Sequence, residues 1–381
     1  MKKFIVLFAV LVVVFAFSAQ AIADVSLYGS ARFQTYSVKK DKEQAVNTAY
    51  DDTDTVWQLD SLTRFGAKFQ SGDVGGLWEM DARSAHNNAN TAYNTDTSSL
   101  GDLRIRHAYG TWNFGAGQLL VGQTWPLTDA LQSNLQYTDS GMQWWGGLGY
   151  VDARITQIRL TFGNLAVAFL SPNVPSAAGG LWGGSDIDTT LPKVEVKYSL
   201  PLEPVTLNLY GGWQNYEDVN PTDQSKDVTS WVGAAQAKAK FGAAYVNFIV
   251  SYAVNAGDYG LGASKTMDDA YLNQAGTDYE DMETTAALLV VGFKVSDMVT
   301  IEGGYGKIKS EGDWPGSKLE DDAQAYYINA TLTMAPGVYI VPEFAVFDKE
   351  DRYGTAGVGS ATATEEGKVT VVGVFWKIDF K

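Results

Sequence analysis

From Asp24 onward the chain alternates apolar and polar residues with a period of two, the repeat of a strand with one face against an apolar medium. Val25, Leu27, Gly29, Ala31 and Phe33 fall on one face of the first such segment; Ser26, Tyr28, Ser30, Arg32, Gln34 and Tyr36 fall on the other. Next, Trp57, Leu59, Phe65, Ala67 and Phe69 oppose Gln58, Asp60, Arg64 and Lys68, and then Trp78, Met80 and Ala82 oppose Glu79, Asp81 and Arg83. The pattern returns at the end of the chain, where Thr370, Val372, Val374, Trp376, Ile378 and Phe380 make one almost wholly apolar row. Such a row at a chain end needs a protein core or lipid over it, because an uncovered apolar edge aggregates.

Similar segments near 103–113, 117–125, 153–163, 164–171, 193–199, 205–215, 229–241, 243–255, 284–295, 299–309, 323–334, 338–348 and 368–380 bring the expected strands to sixteen. Their connections alternate in length. Short ones are expected at 71–75, 113–116, 163–164, 199–204, 241–243, 296–298 and 335–337. Long polar ones are expected at 39–55, 86–101, 126–152, 172–192, 216–228, 256–283, 310–322 and 349–367. A soluble β-sandwich, the competing architecture, has no reason to sort its loops in this way. The alternation predicts an all-β fold, a transmembrane antiparallel β-barrel of about 16 strands with short periplasmic turns and long external loops. Trp57, Trp112, Trp125, Trp213, Tyr216, Trp231, Tyr245, Tyr305 and Trp376 lie near segment ends, where interfacial girdles belong, although some are expected to face the lumen.

Composition fits. Hydrophobic residues are 45% of the chain, yet beyond the N-terminus no apolar run approaches the roughly 18 residues a membrane helix needs. The start is different: Met1-Lys2-Lys3, an apolar run to Phe17 and Ala21-x-Ala23 predict a signal peptide over 1–23 and a mature barrel over 24–381. There is no cysteine, hence no disulfide framework and no lipoprotein anchor. The formal charge of −16 argues against nucleic acid as a partner.

Arginine is unevenly distributed: Arg32, Arg64, Arg83, Arg104, Arg106, Arg154 and Arg159 precede residue 160 and Arg352 alone follows. On a lipid face each would cost about 2–4 kcal/mol at the midplane, which assigns them to a water-filled interior. Arg32, Arg64, Arg83, Arg104, Arg106 and Arg159 are therefore candidate pore-lining residues, with Glu79 and Asp81 among them. Arg104 and Arg106 share a face. The competing reading is that these arginines merely pair with Glu79 and Asp81 to stay solvated.

Enzyme chemistry is not expected. His86 and His107 are the two histidines, which leaves Ser-His chemistry few candidates, so no catalytic residue is proposed. Isolated histidines without cysteine make no zinc site, and the glycine run 179–184 lacks the Lys-Ser/Thr of a phosphate cradle, so neither metal nor cofactor is expected. Acid clusters such as Asp268-Asp269 and Glu320-Asp321-Asp322 read as solvated loop faces.

The leader, Val25-Ser26-Leu27-Tyr28-Gly29, Ser61-Leu62-Thr63-Arg64-Phe65-Gly66, the stretches 104–110 and 117–123, and the aromatic ending resemble the trimeric general porins of bacterial outer membranes across the mature chain. Here Phe380 is penultimate and Lys381 follows it, a departure from the family's terminal aromatic. The resemblance implies a homotrimeric outer-membrane channel passing small hydrophilic solutes and ions by passive diffusion. It implies that Trp376 and Phe380 form an assembly signal read by the barrel-assembly machinery, with outer-membrane lipid and lipopolysaccharide as surroundings. It also nominates 126–152 as a constriction loop folded into the lumen, with Asp129, Asp139 and Asp152 facing the arginines; the family's Pro-Glu-Phe-Gly-Gly type of loop tip is missing. The rival is a surface barrel with an adhesive or envelope-structural role and a blocked pore.

Overall fold

The computed structural model describes residues 24–41, 52–82, 103–130, 132–137, 141–149, 154–174, 186–219, 224–262, 266–355 and 358–381. In chain order the barrel strands are β1 (Val25–Asp41), β2 in two pieces (Asp52–Leu59 and Arg64–Ser71), β3 (Val74–Ala82), β4 (Leu103–Asn113), β5 (Gln118–Thr124), β6 (Ile155–Phe162) and β7 (Leu165–Leu170). They continue with β8, also in two pieces (Asp186–Asp188 and Lys193–Leu202), then β9 (Val205–Val219), β10 (Ser225–Phe241), β11 (Ala244–Val254) and β12 (Met282–Lys294). The last four are β13 (Val299–Gly312), β14 (Leu319–Ala335), β15 (Val338–Thr355) and β16 (Val358–Phe380).

Each strand pairs antiparallel with the next, and β16 returns to β1 in a continuous ladder from Gly29↔Phe380 to Asp41↔Lys368. Sixteen strands thus close on themselves. Closure is what lipid demands, since a sheet edge left open in hydrocarbon has no water to satisfy its N–H and C=O groups.

The side-chain alternation sorts the two faces. On β16, Val372, Trp376, Ile378 and Phe380 point outward and are exposed, while Val371 and Phe375 are buried inside. Leu27, Trp57, Phe65, Trp78, Trp112 and Ile158 continue the outward apolar band on the early strands. Of the aromatics expected at the membrane borders, Trp57, Trp112, Trp213, Trp231, Tyr305 and Trp376 are on that outer surface. Tyr216 and Tyr245 instead point inward, hydrogen-bonded to Asp258 and Glu302, and Trp125 carries the Arg154 guanidinium 4.2 Å above its ring.

The strand ends differ from the sequence expectation in a consistent direction. Strands β9 and β10 stay paired as far as Val219↔Ser225, β13 and β14 as far as Gly312↔Leu319, and β15 and β16 as far as Thr355↔Val358. Most of the stretches 216–228, 310–322 and 349–367, expected as loops, are therefore hairpin. Polar residues there pair across the ladder: Arg352 with Glu366 (2.6 Å), and Lys309 on β13 with Glu320 on β14 (3.6 Å). Polarity signalled departure from lipid there, not departure from strand. On the turn side β8 runs on to Leu202, so its connection to β9 is two residues. Gly72, Gly163 and Gly242, at φ of 53, 54 and 60°, supply the left-handed conformation that such tight turns require.

Wall height is unequal. Strands β5, β6 and β7 have 7, 8 and 6 residues, against 17, 18 and 23 for β14, β15 and β16. Beside it, β1, β2 and β4 carry Arg32, Arg64, Arg104 and Arg106, and β6 carries Arg159. From the low wall the connection between β5 and β6 turns inward. Its Leu135, Met142, Trp145 and Leu148 pack inside the barrel against Tyr36, Val290, Ala325, Phe347 and Phe375 of the walls. The connection between β11 and β12 also enters: Tyr259, at the end of a one-turn helix α1 (Ala256–Tyr259), is fully buried in the same cluster.

Candidate functional site

Two carboxylates on β3 organise the arginine wall. Asp81 on β3 receives Arg104 in a two-point contact (3.1 and 2.6 Å) and Arg106 Nη1 at 3.0 Å. Glu79, two residues earlier and so on the same face, receives Arg106 Nε at 2.6 Å, Arg64 Nη1 at 3.3 Å and the Tyr28 hydroxyl at 2.7 Å. Three guanidinium groups thus meet two carboxylates, and the surplus charge is positive. Arg106 is buried between its partners, whereas the Arg104 side chain keeps 34% of its surface toward the lumen and Arg64 24%.

The backbone of β4 makes this possible. Glu79 pairs with His107 but Met80 with Ile105, so Arg106 is an inserted residue and the ladder slips by one. A bulge of this kind puts two successive side chains on the same side. Arg106 and His107 both turn inward, and His107 Nδ1 lies 2.9 Å from Thr124 Oγ1. Strict alternation would have sent His107 into lipid.

The other predicted lumen residues are distributed around this centre. Arg32 faces inward on β1 and donates to Ser30 Oγ at 3.0 Å, and Arg159 on β6 donates to Gln157 Oε1 at 3.0 Å and to the Trp125 carbonyl. Beside Arg32, β2 is broken over 60–63: Asp60, fully buried, accepts from Gln34 Nε2 (2.6 Å) and the Leu62 N–H (2.7 Å), which satisfies the gap. Arg83, Asp139, Asp152 and His86, like 1–23 and the glycine run 179–184, lie outside the described residues.

The β5–β6 connection is held inside by glutamates that sequence reasoning did not single out. Glu195 on β8 accepts from the Leu127 N–H (2.6 Å), the Thr128 N–H (3.1 Å) and Thr128 Oγ1 (2.7 Å). Glu302 on β13 accepts from the Asn134 N–H, and Glu343 on β15 from the N–H groups of Gln136 (2.9 Å) and Tyr137 (3.0 Å). Asn247 and Asn329 donate to the carbonyls of Gln132 and Asn134 at 2.9 and 2.7 Å. The loop therefore crosses from the low wall to β8, β11, β13, β14 and β15, and its path is intraluminal, not external. The signal was present as a lone carboxylate among apolar neighbours: Val194-Glu195-Val196, Ile301-Glu302-Gly303 and Pro342-Glu343-Phe344.

Asp129 lies in this loop and accepts from Gln143 Nε2 at 2.6 Å; burial holds its carboxyl well above the usual range despite the nearby Arg154. Each of two acid clusters expected as solvated faces has one buried member, while Asp269 is exposed and Glu320 and Asp322 are partly exposed. Asp268 is buried near Asp258, and Asp321 is buried, accepting from the Met267 N–H at 2.7 Å. Asp258, which accepts from Tyr216 Oη (2.6 Å) and the Ala270 N–H (2.7 Å), is pushed up to about 7 by burial and by the neighbouring Asp269. Among the described residues no group of three or more histidine or acid side chains could hold a metal ion.

A closed sixteen-strand barrel with an apolar exterior, a charged interior and a loop folded across it defines a β-barrel channel. The model of the Gram-negative porin family matches residues 8–352, and the chain belongs to that family. Among solved structures it is similar to the outer-membrane channel DcaP of Acinetobacter baumannii (21% identity, TM-score 0.70), with 95% of this chain and 98% of that one covered. It is also similar to the trimer form of OmpT of Vibrio cholerae (14%, TM-score 0.58, 94% and 99% covered) and to the anion-selective porin of Comamonas acidovorans (13%, TM-score 0.59, 94% and 99% covered). No curated protein matches the sequence. The protein is an outer-membrane porin, and its family and fold point to a channel for passive diffusion rather than to an enzyme.

Proposed function

We propose that the porin is a homotrimer whose permeation path is narrowed between the arginine wall and the 126–152 loop. Arg32, Arg64, Arg104 and Arg159 line the path, Glu79 and Asp81 set their positions, and Arg106 holds both carboxylates from behind. The observation that carries this reading is the attachment of the loop's backbone to Glu195, Glu302 and Glu343 on the walls facing the arginines. Trimerisation is supported by the likeness to a porin solved as a trimer. Residues 1–23 act as a cleaved signal peptide, Trp376 and Phe380 serve the barrel-assembly machinery, and lipopolysaccharide surrounds the outer rim. Asp139 and Asp152 join Asp129 as the acids of the constriction loop, and Arg83 extends the basic wall.

Small hydrophilic solutes and ions cross under two opposed influences. Acids at the mouth favour cations at low ionic strength, but salt screens them beyond roughly 8 Å at physiological strength. The surplus guanidinium charge at the narrowing sits against a low-dielectric wall and is screened less. Reversal potentials in planar bilayers under a KCl gradient test this: cation preference should weaken as salt is raised, and Arg104→Gln should shift the channel toward cations. Arg104 is the residue to change, because removing the buried Arg106 strands two carboxylates at a cost of about 3–5 kcal/mol. An unchanged reversal potential in the Arg104 variant would remove that side chain from the path. A surface barrel with a blocked pore would give no conductance at all.

A further inference from the structure

We propose that the inner wall formed by β8, β9 and β10, on the turn side of the constriction loop, holds a binding site for small oxyanions built on Lys197 and Lys238. The inference rests on the channel reading and adds a saturable stop along the path. Lys197 and Lys238 face the interior and are partly exposed. Neither is ion-paired or hydrogen-bonded among the described residues; Lys197 has only the Tyr210 ring beneath it, 5.4 Å from its Nζ. Lys238 and Arg159 are both near enough to Lys197 for their charges to repel it.

The surface between the lysines is built, not incidental. Ser199 Oγ donates to Asn208 Oδ1 (2.7 Å), while Asn208 Nδ2 (3.0 Å) and Tyr210 Oη (2.7 Å) both donate to Gln236 Oε1. Gln236 is 1% exposed, and its Nε2 has no acceptor. A buried donor left without a partner is costly, and in the ladder Gln236 pairs with Asn208, between Tyr210, which pairs with Lys197, and Thr206, which pairs with Lys238. The nearby acids are already occupied: Glu195, one rung toward the loop, accepts from three loop donors and from Tyr259 Oη (3.0 Å), and Asp129 from Gln143. The wall therefore offers donors and positive charge with nothing to receive them. A carboxylate or phosphate group, acceptor-only and negatively charged, meets that need. A conducting pore requires such a site to release as well as hold, so half-saturation belongs in the millimolar range.

The test is KCl conductance of the full-length protein in planar bilayers at pH 7.5, titrated with inorganic phosphate in one arm and malonate in the other. The expected result is a saturable reduction of chloride-carried current by at least one of them, which also identifies the source of the oxyanion. Lys197→Gln with Lys238→Gln should weaken it about tenfold or more, and Lys197→Arg with Lys238→Arg should retain it. Should the double glutamine variant fail to assemble, Lys238→Gln alone, which breaks no contact, gives a smaller shift in the same direction. Channels that conduct but show no saturation with either anion, or equal saturation in the glutamine variants, would overturn the site. Absence of any conductance would instead count against the channel reading on which it rests.

Discussion

Truncating Glu343 to alanine should loosen the constriction loop without opening the barrel. The carboxylate accepts from the N–H groups of Gln136 and Tyr137 at 2.9 and 3.0 Å and from Asn329 Nδ2 at 3.1 Å, and it is 4% exposed. Hydrogen bonds to a charged group contribute about 1.5–3 kcal/mol each, so the two loop bonds together account for about 3–6 kcal/mol. Lumen water can enter the space left and replace part of this, leaving about 2–4 kcal/mol. At about 1.36 kcal/mol per decade, detachment of the 134–137 segment becomes roughly 30 to 1,000 times more frequent. The loop stays tethered at Glu195 and Glu302, so the effect is intermittent rather than a permanent widening. Single-channel recordings should show added open-state noise and a higher mean conductance, and amide exchange should accelerate at 134–137 but not in β14 or β15. A variant with unaltered heat-modifiable mobility, wild-type noise and wild-type exchange at 134–137 would refute the idea that this glutamate holds the loop.

The remaining expectations concern topology, closure and pH. A tag placed at 313–318, the connection of β13 to β14, should label from outside intact cells, whereas tags at 203–204 or 336–337 should not; labelling of the two-residue turns from outside would invert the orientation. Deleting Phe380 with Lys381 should impair insertion strongly and deleting Lys381 alone mildly, because Phe380 lies over Gly29 in the closing seam, where an added Cβ would come within 2.2 Å of its ring. Gly29→Val should therefore mimic the loss of Phe380, and normal barrel yield from that variant would show that the contact is dispensable. The Asp258 carboxyl sits at about 7 in the folded loop against an ordinary value near 3.8, so the folded state holds its proton more tightly. The contribution of this carboxyl to the loop between β11 and β12 is accordingly complete below about pH 4, is lost as pH rises from about 4 to 7, and changes little above that. Proteolysis of that loop should accelerate across this window in the wild type, and the same acceleration in Asp258→Asn would assign the effect to another group.

Period-two alternation was enough to read the class of fold, since lipid admits few solutions for strands: an apolar outer row at every step and a closed ladder. It also placed Arg104 and Arg106 inside, because neither belongs in hydrocarbon, and put Phe380 on the outer row that closes the barrel. What it could not read were features set between distant segments. His107 faces inward only because Arg106 is inserted opposite Glu79 and Met80, a slip visible in the ladder and not in the residues themselves. Polar residues at 216–228, 310–322 and 349–367 looked like loop because polarity reports contact with water, and a hairpin standing above the membrane meets water on both faces. Glu195, Glu302 and Glu343 are lone acids in their strands, and their purpose comes from a segment 67 to 207 positions away that brings its N–H groups to them. Lys197 and Lys238 are ordinary strand lysines in sequence; only the pairing of β8, β9 and β10 sets them on either side of a donor without an acceptor. Local chemistry decides which face a side chain takes, and tertiary pairing decides what it finds there.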